Sequence, residues 1–287
     1  MQIPLFPFRR MLRLSSRFKT DRFDELGRVN PPPKLLRGHG GPQFRDIGRR
    51  WVETFQLIAS LSPTAHVLDV GCGPGRMALE LAPYLRTSGR YEGFDIRAAD
   101  IAWCKKEIEP RWSRSRFQLV DVNNGHYNAC GELAAEAFRF PYPDQSFDFV
   151  FMTSVCTHLR SRAVSNYLGQ ASRVLKAGGR CLASFFLVNE RVWARIAAGK
   201  SRFQFAHAIG PSSWSQYADR PERAVAYDET FIRTIHQQAG LAVCEPMHYG
   251  AWSGDVPPST RHSQDVVVAL KPGSAQHVTQ PAPTFSD

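Results

Sequence analysis

At 287 residues the chain has room for one large domain with decorations, and 43% apolar against 22% charged residues excludes bulk disorder. Six scattered cysteines, Cys72, Cys104, Cys130, Cys156, Cys181 and Cys244, form no Cys-x-x-Cys pair, which argues against a zinc site or a disulfide framework and predicts a cytoplasmic protein. The formal charge of +10 favours anionic partners, and no stretch nears the roughly 20 apolar residues of a membrane-spanning helix.

The first twenty residues carry Arg9, Arg10, Arg13, Arg17 and Lys19 and no acid, interleaved with Leu5, Phe6, Phe8, Met11, Leu12, Leu14 and Phe18. Two expectations stand for this stretch. One is a basic amphipathic segment lying peripherally on the anionic inner face of a membrane; the other is a solvated or lid-forming extension. Pro31-Pro32-Pro33 and Gly38-His39-Gly40-Gly41-Pro42 predict an irregular extension over residues 1–43. From residue 44 to 61, Ile47, Trp51, Phe55, Leu57, Ile58 and Leu61 recur at helical spacing, and Ser62-Pro63-Thr64 ends the helix.

An alternating series follows. Apolar runs at 66–70, 90–96, 116–122, 147–152, 179–187, 241–249 and 264–270 predict strands, and 77–85, 98–108, 163–175 and 229–239 predict helices between them. Strand–helix alternation implies an α/β doubly wound, mainly parallel sheet. The strand at 264–270 has no convincing helix before it, so it is expected to pair antiparallel. The main domain spans residues 44–271, with 188–227 as a lid or acceptor insertion, and the Pro- and Gln-containing tail at 272–287 is expected to be disordered.

The strand at 66–70 runs into Gly71-Cys72-Gly73-Pro74-Gly75, and a helix starts near Arg76. Glycines here let backbone pass close to a ligand facing the free N–H groups of the helix start. A dinucleotide fingerprint, Gly-x-Gly-x-x-Gly, is excluded because the sixth position is Arg76. Asp69 would also repel pyrophosphate, whereas it suits a cationic ligand. Asp95, about twenty residues past the loop, is placed to accept both hydroxyls of a ribose; its structural alternative is to cap the helix starting near Ala98.

Residues 66–76, Phe94-Asp95-Ile96, Phe140-Pro141-Tyr142-Pro143-Asp144-Gln145-Ser146-Phe147-Asp148 and Arg173-Val174-Leu175-Lys176-Ala177-Gly178-Gly179 resemble the successive motifs of class I S-adenosylmethionine (SAM)-dependent methyltransferases, notably bacterial small-molecule and sugar enzymes. The resemblance covers residues 44–187 well and the remainder in outline. It implies a Rossmann-like, seven-stranded sheet with the last strand antiparallel, and SAM as cofactor. It further implies that Asp69, Gly71 and Gly73 line the methionine end, with Cys72 and Gly75 in the same cofactor-binding loop, and that Asp95 and Ile96 hold ribose and adenine. Asp121 and Val122, with Thr153, complete the expected cofactor set. An insertion from Asn123 to Arg139 separates Asp121 from the Pro-Tyr-Pro motif, so Phe138 or Phe140 is the alternative adenine neighbour.

Acceptors in such sheets lie beyond the carboxyl ends of the strands. His158, after Thr153-Ser154-Val155-Cys156-Thr157, is the candidate general base, its alternative being to brace the loop. His126 and Tyr127 are second candidates for acceptor contact. His248, Tyr249 and Trp252 could form a wall, Trp214 and Tyr217 a lid, and Arg191, Arg195, Lys200 and Arg202 an anion-binding face or simply a solvated one. The 147–152 strand does not end in an acid and no Asn-Pro-Pro-Tyr-like sequence follows it, so neither an obligatory metal nor a nucleobase amine is expected. The expected activity is methylation of a hydroxyl on a small molecule, sugar or glycolipid. The alternatives are an RNA or protein methyltransferase and a SAM-binding protein without catalysis. Nucleic acid is not an expected partner, since no RNA-binding motif or appended domain is present, and no pattern speaks to oligomeric state.

Overall fold

The computed structural model describes residues 29–86, 88–256 and 261–273. The basic stretch over the first twenty residues, and all but the start of the 272–287 tail, lie outside the described residues. Where residues 1–43 were expected to be irregular, a one-turn helix α1 (Pro33–Leu36) forms. Pro33 stands at its first position, where proline's missing N–H costs nothing. Helix α2 (Phe44–Ile58) then ends three residues earlier than its apolar pattern suggests. Ser60 enters the left-handed region, and the N–H groups of Ala59 and Leu61 both close onto the Phe55 carbonyl.

From there the chain alternates: β1 (His66–Val70), α3 (Ala78–Tyr84), β2 (Arg90–Asp95), α4 (Ala98–Glu107), β3 (Ser115–Leu119), β4 (Phe147–Met152), α5 (Ser161–Val174) and β5 (Leu175–Phe185). A second unit follows, with β6 (Leu187–Val188), α6 (Glu190–Ala197), β7 (His207–Gly210), β8 (Ser213–Ser215) and β9 (Val225–Asp228). Helix α7 (Glu229–Gln238), β10 (Ala242–Val243) and β11 (Asp265–Leu270) return the chain to the first sheet.

The main sheet has seven strands in the order β10-β11-β5-β4-β1-β2-β3. Its pairs are parallel except on both sides of β11, as expected for the last strand. The chain crosses over between β3 and β4, so a cleft opens at the carboxyl ends of β1, β2 and β4. Strand β4 explains why the sheet is buried on both faces. Val150 and Met152 pack in the cluster containing α5 and α7, and Phe149 and Phe151 in the one containing α2, α3 and α4. Phe55 of α2 meets Phe149 and Phe151 at ring-centroid distances of 5.3 and 4.6 Å. Fully burying one such ring contributes about 2 kcal/mol.

Two departures from the sequence expectation concern the later elements. The 241–249 run pairs over only Ala242 and Val243 plus a single bridge from His248 to Val266, because Pro246 has no N–H to donate. The 188–227 region, where no strand was foreseen, forms most of a four-stranded sheet in the order β6-β9-β8-β7. It has its own core of Phe186, Val188, Val192, Phe205, Ala226 and Trp252. Strand β6 begins two residues after β5 leaves the main sheet, so this accessory unit stands over the carboxyl edge.

Candidate active site

A cavity of about 590 Å³ opens at that edge, lined by the glycine loop, the ends of β2 and β4, the 122–127 segment and Arg37 to His39. Two glycines are required by contacts rather than by flexibility alone. Gly71 has φ +75°, and a Cβ there would sit 2.4 Å from Val155 Cγ2, so its bareness lets the loops after β1 and β4 touch. Gly73 has φ +51°, and a Cβ would meet the His39 ring at 2.9 Å. The N–H groups of Gly71 and Cys72 both donate to the Phe94 carbonyl, at 2.9 and 3.0 Å, which locks the loop against β2.

Asp95 ends β2 on the cavity wall. Its carboxylate accepts the Gly73 N–H at 2.7 Å and the Arg97 N–H at 2.9 Å, and burial raises its pKa against those two bonds. The N-cap position of α4 falls to Arg97 and carries no side-chain cap, so Asp95 does not cap the helix but braces the turn that leads into it from the cavity wall. Asp69 is buried behind the loop and does not line the cavity. It accepts the Tyr91 hydroxyl at 2.6 Å on Oδ2, while Oδ1 has no partner among the described residues. Burial pushes its pKa up to about 7; the Tyr91 hydrogen bond opposes the shift, Asp95 adds to it and Arg76 opposes it.

Cys72, Ile96, Val122 and Thr153 all line the cavity. The Cys72 thiol is held protonated by burial and by surrounding acids. Thr153 Oγ1 is buried and has no partner among the described residues, a polar atom left over on the wall. Gly75 and Asp121 do not join them. A Cβ on Gly75 would strike Ile108 and Cys104, so that glycine serves the packing of the loop on α4. Asp121 is exposed, and its carboxylate accepts from Asn128 Nδ2 at 3.2 Å and the Glu132 N–H at 3.3 Å, turned toward the insertion. Phe138 and Phe140 are core residues, packed with Phe94 and Tyr167.

The insertion folds back over the cavity. Asn124 Oδ1 accepts the N–H groups of His126 and Tyr127 at 3.1 and 3.0 Å, and its Nδ2 donates to the His158 carbonyl at 2.8 Å. His126, Tyr127 and His158 thereby reach one wall. His158 Nδ1 lies 3.1 Å from the Glu222 carbonyl, and Nε2 lies 3.5 Å from the Tyr127 hydroxyl. Burial holds the His158 pKa at about 4, so the ring is neutral at physiological pH. A carbonyl only accepts, so the single ring proton sits on Nδ1 and Nε2 keeps a lone pair.

Several lining residues were not foreseen. His39, from the segment before α2, lies over Gly73; its Nε2 hydrogen-bonds Arg97 Nη1 and lies 3.3 Å from Asp100. Arg37, Arg76 and Arg97 also face the cavity. The only sequence cue for His39 was its run of neighbouring glycines. Other candidates lie elsewhere: His248 and Tyr249 line a cleft against α2, Trp214 packs on Trp193, and Tyr217 lies under Arg223. Trp252 and Arg202 line a second cavity beside the first.

Residues 68–183 match the family described as a methyltransferase domain. Residues 68–183 thus carry a SAM-dependent methyltransferase domain, set in the class I fold. SAM is its cofactor, and the cavity fits it: glycines that leave room, the leftover Thr153 hydroxyl and the Asp95 carboxylate on the wall suited to a ribose, with Asp69 buried behind the glycine loop. Among curated relatives, the 27-O-demethylrifamycin SV methyltransferase of Amycolatopsis mediterranei is 32% identical over 123 residues, covering 42% of this chain and 39% of that enzyme. The ubiquinone/menaquinone biosynthesis C-methyltransferase UbiE of Xanthomonas campestris is 24% identical over 216 residues, covering 73% of this chain and 78% of that enzyme. The chain thus spans less than half the length of the first of these relatives. Among solved structures, a SAM-dependent methyltransferase of Methanosarcina mazei aligns with TM-score 0.50 at 17% identity, covering 77% of this chain and 97% of that one. The [4+2]-cyclase SpnF aligns with TM-score 0.50 at 16% identity, covering 78% and 80%. These structures share the fold, and the fold alone does not choose a reaction.

Proposed function

We propose that the chain methylates a hydroxyl of a small-molecule, sugar or glycolipid acceptor, with His158 as general base. The observation carrying this is the neutral imidazole on the cavity wall, its proton tied to the Glu222 carbonyl and its Nε2 lone pair available. When bound, SAM supplies a methyl carbon activated by its sulfonium. Gly71, Gly73 and Thr153 border the methionine end in this scheme, and Asp95 with Ile96 and Val122 holds the nucleoside.

A base with a pKa of about 4 suffices for this task. A hydroxyl oxygen gaining a bond to carbon becomes far more acidic than an imidazolium, so its proton passes to Nε2 as that bond forms. Tyr127 and His126 cover the site and exclude water, and the loop after β4 sets the acceptor's approach. The rifamycin relative, named for an O-demethyl acceptor, supports a hydroxyl, while the UbiE relative is named for a carbon. Six free cysteines support a cytoplasmic setting.

The test incubates the full chain with labelled SAM and separate metabolite, glycan and RNA pools. Label is expected in the metabolite or glycan pool, and His158→Ala is expected to slow kcat by about 10²–10⁴-fold with little change in SAM affinity. Label in RNA alone, or His158→Ala turnover near wild type, would overturn the proposal.

A further inference from the structure

A second cavity, about 530 Å³, shares Arg76 and Ser154 with the first, so the two are neighbours across that wall. Its other residues follow the same logic of the sheet. Ser154 comes just after β4, Phe186 just after β5, and Gln264 just before the antiparallel β11, which brings all three to one edge. Ser154 is a non-glycine residue at φ +57°. Its N–H donates to Ser184 Oγ at 2.7 Å and its hydroxyl to Gln264 Oε1 at 2.9 Å. A residue held in the left-handed region by two side-chain bonds marks strain stored at the wall between the cavities.

The lining chemistry is one-sided. The half-buried Phe203 supplies an aromatic floor, its ring 5.0 Å from that of Phe186, which with Trp252 belongs to the core behind it. Four arginines line the space, Arg50, Arg76, Arg202 and Arg261, and among the described lining residues there is no Asp or Glu. Arg261 is paired with Glu53 at 2.6 Å, whereas Arg50 and Arg202 have no ion pair among the described residues. With Arg50 and Arg202 left without a counter-charge there, an anion placed between them gains charge-assisted, bidentate bonds. A flat or apolar body suits the aromatic floor.

We infer that the second cavity is the acceptor site and takes an anionic acceptor, whose carboxylate or phosphate monoester lies among Arg50, Arg202 and Arg261 and whose body rests on Phe203. This rests on the first cavity being the donor site. The acceptor's hydroxyl then approaches past Ser154.

The test measures binding of 6-hydroxy-2-naphthoate, its methyl ester and 2-naphthyl phosphate to the full chain saturated with S-adenosylhomocysteine (SAH), by ligand fluorescence. The same titrations are run on the Arg50→Gln/Arg202→Gln double variant, which alters exposed side chains outside the first cavity. At least one anion is expected to bind on the order of tenfold tighter than the ester, a preference lost in the double variant while SAH affinity stays the same. Preference for the naphthoate assigns a carboxylate, and preference for the phosphate assigns a phosphate monoester. If neither anion outbinds the ester, or the double variant keeps the preference, the inference is overturned and the donor site stands. Failure of SAH itself to bind the wild type overturns the donor site instead.

Discussion

Replacing Asp69 by Asn separates two effects that the wild-type residue sets against each other. In the folded chain its pKa is about 7 against 3.8 in the reference state, because burial outweighs the Tyr91 hydrogen bond. A carboxyl that keeps its proton longer when folded gives stability that is complete below pH ~4 and is lost as the pH rises through ~7. The shift corresponds to on the order of 4 kcal/mol. Without cofactor, Asp69→Asn should therefore match wild type near pH 4 and exceed it by a few kcal/mol at pH 8. Cofactor binding should move the other way. A cation near Asp69 favours the ionised form, which is about one-tenth populated at pH 6 and about nine-tenths at pH 8, so SAM should bind wild type roughly tenfold tighter at pH 8. The ligand's own amino group also titrates near pH 8. Titration calorimetry of SAM on wild type and Asp69→Asn between pH 5.5 and 8.5 cancels that contribution in the difference, and denaturant melts without SAM give the stability arm. Parallel affinity profiles for the two proteins, or parallel stability profiles, would refute the reasoning.

Gly71→Ala should raise the SAM dissociation constant at least tenfold, because φ +75° costs an L-residue about 1 kcal/mol and the new Cβ strikes Val155 Cγ2. Adding Val155→Ala should recover part of that loss in calorimetry; strict additivity of the two changes would show that the loops are not coupled there. Tyr227 is fully buried, and its hydroxyl donates to the carbonyls of Cys156, at 2.9 Å, and Leu159. Tyr227→Phe strands the Leu159 carbonyl, while that of Cys156 keeps the Leu159 N–H at 3.2 Å, at a cost of about 1–3 kcal/mol, and loosens the turn bearing His158. Thermal melts should show a lower Tm and kinetics a fall in kcat larger than any change in SAM affinity; an unchanged Tm counts against the role.

What could be read from the sequence was what local pattern controls. Phe149 to Met152 is an unbroken apolar run because both faces of β4 are covered, and that signal survives without any knowledge of neighbours. The Asp69 to Gly75 stretch is similar, since strand, acid and glycine spacing lie within a few residues. The accessory sheet was invisible for the opposite reason. Its strands have two to four residues, too few for an alternating pattern, and exist only because they pair with one another. His39 meets Gly73 and Arg97 across long stretches of chain, and Glu222 reaches His158 through a backbone carbonyl, which has no residue signature at all. Asp121 shows how an insertion redirects a carboxylate: Asn128 and Glu132 capture it before it can face the cavity.

The tie between the accessory sheet and the His158 turn has a consequence for engineering. The Glu222 carbonyl and the Tyr227 hydroxyl both come from that unit, and both hold the turn, one through the imidazole and one through the Cys156 and Leu159 carbonyls. Residues 187–228 therefore cannot be swapped between homologues as a self-contained cassette for changing acceptor preference. A chimera that imports the unit without matching partners for those two bonds inherits a new mouth and a misoriented histidine together. Successful grafts would transplant the turn and the sheet as one piece.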